Sequence, residues 1–244
     1  MTDLNKLPQQ APEYDLRELL EAGMHFGHAS AKWHPKMKEF IYTEKDGMHI
    51  FDLAKTAAQL TKAYNYLFDL GKNGKKVIFV GTKRQIRESV RETAEQAGAF
   101  FIAQRWMGGL LTNWDQISKS VRRMNEIDEG LEAGKFDGYT KFERVQLEKE
   151  QGRLARFFEG VKGLKGTPDC LVVIDPKREK IAVAEAQKVG VPIVALIDSN
   201  TDPDQIMLPI PGNDDAVSSI LLVLKQLTEA YLQGKKATKK PANN

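Results

Sequence analysis

The chain has 244 residues and a mass of 27.4 kDa, with 41% hydrophobic and 28% charged residues and a mean hydropathy of −0.43. These values exclude a disulfide-stapled miniature, a collagen-like or low-complexity chain and a wholly disordered one, and they require a packed core in one domain, with or without an insertion. The net charge of +3 hides a division: residues 72–91 hold seven cations (Lys72, Lys75, Lys76, Lys83, Arg84, Arg87, Arg91) against Glu88, and residues 197–224 hold five aspartates and no cation. Such sign separation bears on partners more than the total does.

The apolar run over residues 216–224 is too short to span a bilayer. Residues 1–30 lack a basic start followed by an apolar run, so no secretory signal and no membrane partner are expected, and the expected place is the cytosol. The single cysteine, Cys170, lies in an apolar run and reads as a core residue in a reducing compartment.

In chain order, residues 1–14 predict a flexible arm. Asp15 and Glu18 predict a capped short helix carrying Leu16, Leu19 and Leu20 and stopping at Gly23. Residues 25–46 read as irregular, dense in aromatics and lysines. From Met48 strands and helices alternate. Residues 48–51, 77–80, 99–102, 170–174 and 191–197 predict strands, with helices after Asp52, after Arg84, over 181–189 and from about Asp215. Runs apolar throughout suit strands covered on both faces, so the expected fold is a doubly wound parallel α/β sheet. One interruption stands out. Trp114, Ile117, Val121, Met124, Ile127 and Leu131 recur at helical spacing, Gly130, Gly134 and Gly138 break the chain, and Thr140 with Glu143 caps a returning helix bearing Leu147, Leu154, Phe158 and Val161. This predicts a protruding antiparallel coiled-coil hairpin over 111–165, inserted into a sheet domain over 15–110 and 166–233 and followed by a basic tail over 234–244.

Several segments carry candidate chemistry. Gly81-Thr-Lys-Arg-Gln85 follows an apolar strand, where glycine and cations at a helix start can bind anions. Neither a phosphate-cradling loop nor a dinucleotide fingerprint is complete there. Two readings follow: an enzyme or sensor for a phosphorylated small molecule at Gly81, or a cationic face of Lys83, Arg84, Arg87 and Arg91 laid along a nucleic acid. Lys32-Trp-His-Pro-Lys-Met-Lys38 and Arg105-Trp-Met-Gly-Gly109 interleave cations with indoles. That pairing suits phosphates and unpaired bases, although the same rings could be core anchors. His28 with Asp198 and Asp202 could hold a structural divalent ion. No Ser/His/Asp order and no paired-carboxylate site stands out.

Gly23-Met-His-Phe-Gly-His28, Trp33-His-Pro-Lys-Met37, Phe79-Val-Gly-Thr-Lys-Arg84, Arg105-Trp-Met-Gly-Gly-Leu-Leu-Thr-Asn113 and Ile210-Pro-Gly-Asn-Asp-Asp-Ala216 together resemble the bacterial second protein of the small ribosomal subunit, from about Asp15 to Gly234. His34 departs from the asparagine commoner there. The resemblance implies a flavodoxin-like domain with a coiled-coil hairpin and no catalysis. It further implies binding to small-subunit ribosomal RNA and to neighbouring ribosomal proteins, including the large messenger-RNA-binding protein one. It makes Lys32, Trp33, Lys36, Lys83, Arg84, Arg105, Trp106 and Asn113 expected contacts. Lys38, Arg87, Arg122 and Arg123 join them as neighbouring cations. No cofactor is implied beyond a structural divalent ion, for which the resemblance supports His28 and Asp198.

Overall fold

The computed structural model describes residues 7 and 9–239. Residues 1–6 and 8 of the expected arm and residues 240–244 of the expected tail lie outside the described residues.

Five strands, β4 (Val77–Val80), β5 (Phe100–Ile102), β6 (Cys170–Ile174), β7 (Ile193–Ile197) and β8 (Leu208–Pro211), form one sheet in the order β5-β4-β6-β7-β8, every pair parallel. Counted within this sheet, the order is 2-1-3-4-5, that of flavodoxin-like folds, with the reversal of direction between β4 and β6. Each of β4, β6 and β7 is buried along its whole length, as unbroken apolar runs require. Alternate side chains serve two cores. Phe79, Val172 and Leu196 pack with α2 (Leu53–Lys72), α3 (Arg87–Ala97) and α7 (Val217–Lys239), whereas Ile78, Val173 and Ala195 pack with α6 (Lys180–Val189) and the 106–111 loop. α2 and α7 touch backbone to backbone where Gly71 faces Tyr231 and Gly234 faces Phe68, so a methyl at either glycine would strike a carbonyl.

Two expectations change. Residues 48–51 are β3 (Met48–Phe51), which belongs to a separate antiparallel sheet with β1 (Phe26–Ala29) and β2 (Ile41–Lys45), built from the stretch read as irregular. Asp46 and Gly47, with φ of 52° and 73°, join β2 to β3. Such a two-residue Asp-Gly connection favours an antiparallel hairpin over a parallel crossover. The fifth parallel strand is instead β8, hidden from pattern reading by Pro209 and Pro211. Prolines are tolerated there because β8 is an edge strand, bonded among the described residues only to β7.

Between β5 and β6 the chain leaves the sheet as α4 (Trp114–Glu132) and α5 (Lys141–Phe158). These are tied side by side by Arg123 to Glu150 (2.9 Å) and by Gln151 to Asp128 (2.7 Å). Thr140 and Glu143 form the expected capping box. Gly130 does not break the chain. It is helical, and its missing side chain makes room for the Phe136 ring. At the termini, Gln10 and Ala11 of the expected arm donate backbone N–H groups to Asn65 Oδ1 on α2 (2.8 and 2.9 Å), and Leu7, Ala11 and Tyr14 lie against the core. At the other end α7 continues through the start of the expected tail to Lys239. Among the described residues no helix is long and apolar enough to cross a membrane.

Candidate nucleic-acid interface

In a parallel sheet every strand ends on the same edge, so the loops after β4, β5, β6, β7 and β8 share one rim. Ligands of such folds sit where the strand order reverses, here between β4 and β6. This chain fills that crevice with its own side chains. Lys83 is buried, and its ammonium lies 2.9 Å from Asp175, 2.9 Å from Asp214 and 2.8 Å from Asp215, and also meets the Asp214 carbonyl. Burial opposes its charge, but the three carboxylates outweigh burial and hold its pKa above the ordinary lysine value. Asp175 reaches Lys83 from a left-handed conformation (φ 61°) rare for aspartate. The conformation is held by the backbone N–H groups of Arg178 and Glu179 donating to its carbonyl and by the Arg178 N–H donating to Oδ1.

Beside this cluster, His28 Nδ1 lies 2.9 Å from Asp198 Oδ2, and the His28 backbone N–H donates to Asp198 Oδ1 (2.9 Å) and Ser199 Oγ (3.0 Å), latching β1 to the end of β7. Asp198 holds the His28 pKa above the usual histidine value. The pKa of Asp214 is pushed up to about 7 by burial and by the Asp175 carboxylate, and its Oδ2 is buried without a partner among the described residues. His28, Asp198 and Asp214 present ligand atoms all within 4.8 Å of one another. Asp202, expected as a ligand, is turned away because Lys36 holds it (3.2 Å) together with Asp204. Asp214, not Asp202, is the acid beside His28 and Asp198.

A second acid organises the 105–113 loop. Glu185, buried on α6, accepts from the Trp106 indole N–H (3.2 Å), the backbone N–H groups of Gly109 (2.7 Å), Leu111 (3.0 Å) and Thr112 (3.1 Å), and the Thr112 hydroxyl (3.1 Å). Burial favours its neutral form, but these donors outweigh burial and hold its pKa below the usual glutamate value. Nothing in helical periodicity singles out Glu185. It reads as one more charged residue of an exposed face until the loop folds over it.

The expected RNA contacts therefore separate. Lys83 and Trp106 are interior groups, one neutralised by carboxylates and one sealed over Glu185, so neither side chain is presented to a ligand. Lys36 is paired with Asp202 and Asp204, and Arg123 with Glu150. Arg87 donates to the Thr82 carbonyl (3.1 Å), and Arg122 to the Ser118 carbonyl (3.4 Å). Lys32, Lys38, Arg84 and Arg105 are exposed and have no acidic partner among the described residues; Trp33 and Asn113 are also exposed. The helical cationic face from Lys83 to Arg91 does not form. α3 begins only at Arg87, Lys83 turns inward, and Arg91 pairs with Glu95 (3.1 Å) and Glu159 (3.0 Å). The acidic segment is spent in the same way, because Asp198 and Asp214 are buried and Asp202, Asp204 and Asp215 each face a lysine.

The anion cradle at Gly81 also fails on geometry. A side chain there would crowd Val90 (3.0 Å) and Ile86 (3.2 Å), so the glycine serves the packing of α3 on the sheet, and the nearest ammonium is already matched by aspartates. These features define a class: an α/β scaffold whose ligand crevice is closed by its own ion pairs. The family model for ribosomal protein S2 matches residues 19–234, and the chain belongs to that family. It is a small-subunit ribosomal protein with a structural rather than an enzymatic role, at work in translation on the ribosome in the cytoplasm, in association with ribosomal RNA and other ribosomal proteins.

Proposed function

We propose that this chain binds small-subunit ribosomal RNA directly through the carboxyl rim of its sheet, and that α4 and α5 act as a coiled-coil hairpin reaching to neighbouring proteins, the large messenger-RNA-binding protein one among them. The observation that carries the reading is the set of cations on or beside this rim left without acidic partners among the described residues, Lys32, Lys38, Arg84 and Arg105, with the exposed Trp33 next to Lys32 in the chain. Unmatched cations exchange condensed counterions for contact with phosphates, and an exposed indole can stack on an unpaired base. In sucrose-gradient cosedimentation with small subunits depleted of this protein, the wild-type chain is expected to enter the subunit peak. A variant with Lys32, Lys38, Arg84 and Arg105 all changed to Gln is expected to stay at the top. Normal entry of that variant would refute the rim as the RNA-binding face.

The same rim supports a structural divalent ion. His28, Asp198 and Asp214 supply one nitrogen and two carboxylate oxygens, and the partnerless buried Asp214 Oδ2 is the atom such an ion would satisfy. The ion would add a positive charge joining β1, β7 and the start of α7. Addition of zinc or magnesium at 100 times its dissociation constant is expected to raise stability by about 2.7 kcal/mol, an effect absent from His28→Ala. Identical melting with and without metal would dispose of it.

A further inference from the structure

Behind the paired carboxylates lies a cleft of 290 Å³ lined by His28, Lys32, Asp175, Lys177, Arg178 and Asn200. Its walls come from three places in the chain: the segment after β1, the β6–α6 loop, and the turn after β7. Two of its cations, Lys177 and Arg178, belong to none of the sequence motifs. Building on the RNA-binding reading, we propose that this cleft seats the phosphodiester backbone of a single RNA strand, with Lys32 and Lys177 on opposite segments each taking a phosphate and Arg178 directed between them.

Three observations favour that occupant. Lys32 and Lys177 are exposed and have no acidic partner among the described residues, so their charge is available. The one acid in the wall, Asp175, directs its carboxylate to Lys83 at 2.9 Å, and Asp198, Asp214 and Asp215 are likewise held by His28 or Lys83. The cleft thus presents cations outward with their counter-charge tied down behind them. Arg178 is also fixed in place, because its Nε donates to Thr82 Oγ1 (3.1 Å), itself bonded to the buried Glu179. A guanidinium anchored at Nε can turn its two terminal nitrogens to a phosphate. Trp33 follows Lys32 directly, is 37% exposed, and has its ring set 5.1 Å from that of His49. A ring beside a cation suits a strand whose bases are unpaired, and an acidic peptide would have no use for it.

The test uses the full chain and a fluorescein-labelled single-stranded fragment of small-subunit ribosomal RNA, with affinity measured by anisotropy across a salt series. For a single strand, each phosphate that the protein ceases to neutralise lowers the slope of log affinity against log salt by about 0.7. The double variant Lys32→Gln/Lys177→Gln, which touches no buried pair, is therefore expected to reduce the slope by about 1.4 while keeping the wild-type melting temperature. The charge-preserving Lys177→Arg is expected to keep the wild-type slope. An unchanged slope in the double variant, alongside a reduced one in Arg84→Gln, overturns the cleft and leaves the rim reading standing. A wild-type chain whose RNA affinity ignores salt overturns both. Binding of polyglutamate that disappears in the double variant, with RNA binding unaltered, overturns the proposal in favour of an acidic protein partner.

Discussion

Lys83→Met is expected to lower the unfolding free energy by about 3–5 kcal/mol, the loss typical when one member of a buried ionic cluster is removed and its partners are left charged. Among the described residues Lys83 is the only cation within 3 Å of Asp175, Asp214 and Asp215 together. These three arrive from the ends of β6 and β8, and without the ammonium they would repel one another across the crevice. The loss is expected to be smaller in the double variant Lys83→Met/Asp214→Asn, because Asp214, with a pKa pushed up to about 7, is the carboxylate most costly to keep ionised in that crevice. Chemical denaturation of the two single variants and the double closes the thermodynamic cycle, and a coupling of about 1–3 kcal/mol is expected. Additive losses would show that Lys83 and Asp214 do not stabilise one another. Lys83→Arg is not a conservative control here, since a planar fork cannot replace a compact ammonium among three carboxylates.

Glu185→Ala is expected to cost about 3–5 kcal/mol, since it leaves several donors of the 106–112 loop, the Trp106 indole N–H among them, without an acceptor in a buried place. Glu185→Gln, which keeps an acceptor oxygen but loses the charge and introduces a competing NH₂, is expected to fall between wild type and alanine. The pH dependence gives a second check. The folded pKa of Glu185 lies below its unfolded value, so its contribution is fully present above about pH 4.3 and drains away as the pH falls through the folded value. Relative to wild type, the glutamine variant is therefore expected to show a smaller loss of stability on acidification below that pH. Equal acid sensitivity in the two proteins would refute the assignment. A loosened loop would move Arg105 and Asn113, which flank it, so entry into the small subunit is expected to fall with stability. Trp106 fluorescence offers a local reporter, because the indole would gain water when its acceptor is removed.

Much of this architecture is legible in the chain without coordinates. Unbroken apolar runs at 77–80, 170–174 and 193–197 specify strands covered on both faces, and Thr140 with Glu143 marks the start of α5 through a local capping exchange. The β2–β3 hairpin was missed, since residues 25–46 read as irregular, although Asp46-Gly47 is a local signal for such a turn. β8 was not legible, because Pro209 and Pro211 are acceptable only at an edge, and edge position is a property of the assembled sheet. The sequence named His28 and Asp198 together, and the structure brings them into contact across 170 positions of the chain, whereas Asp202 is held by Lys36 instead. The competing partner, Lys36, is invisible until the 3-10 turn over Pro35–Phe40 is laid against the turn after β7.

Charge shows most plainly where sequence ends and tertiary structure begins. The sequence by itself determined the α/β order, the helical pair between β5 and β6, and the family, because each depends on local periodicity or on motifs in fixed order. It could not determine which charges face a partner. Segments rich in one sign, 72–91 and 197–224, look like two surfaces, yet Lys83 with Asp175, Asp214 and Asp215, together with Lys36 with Asp202 and Asp204, join opposite signs across long stretches of chain. Opposite charges brought within about 3 Å largely cancel their field beyond a Debye length of about 8 Å at physiological salt. What remains outside are Lys32, Lys38, Arg84 and Arg105, which the motifs named, and Lys177 and Arg178, which they left out. Folding, by pairing the others, decided which part of a modest net charge of +3 is left to meet RNA.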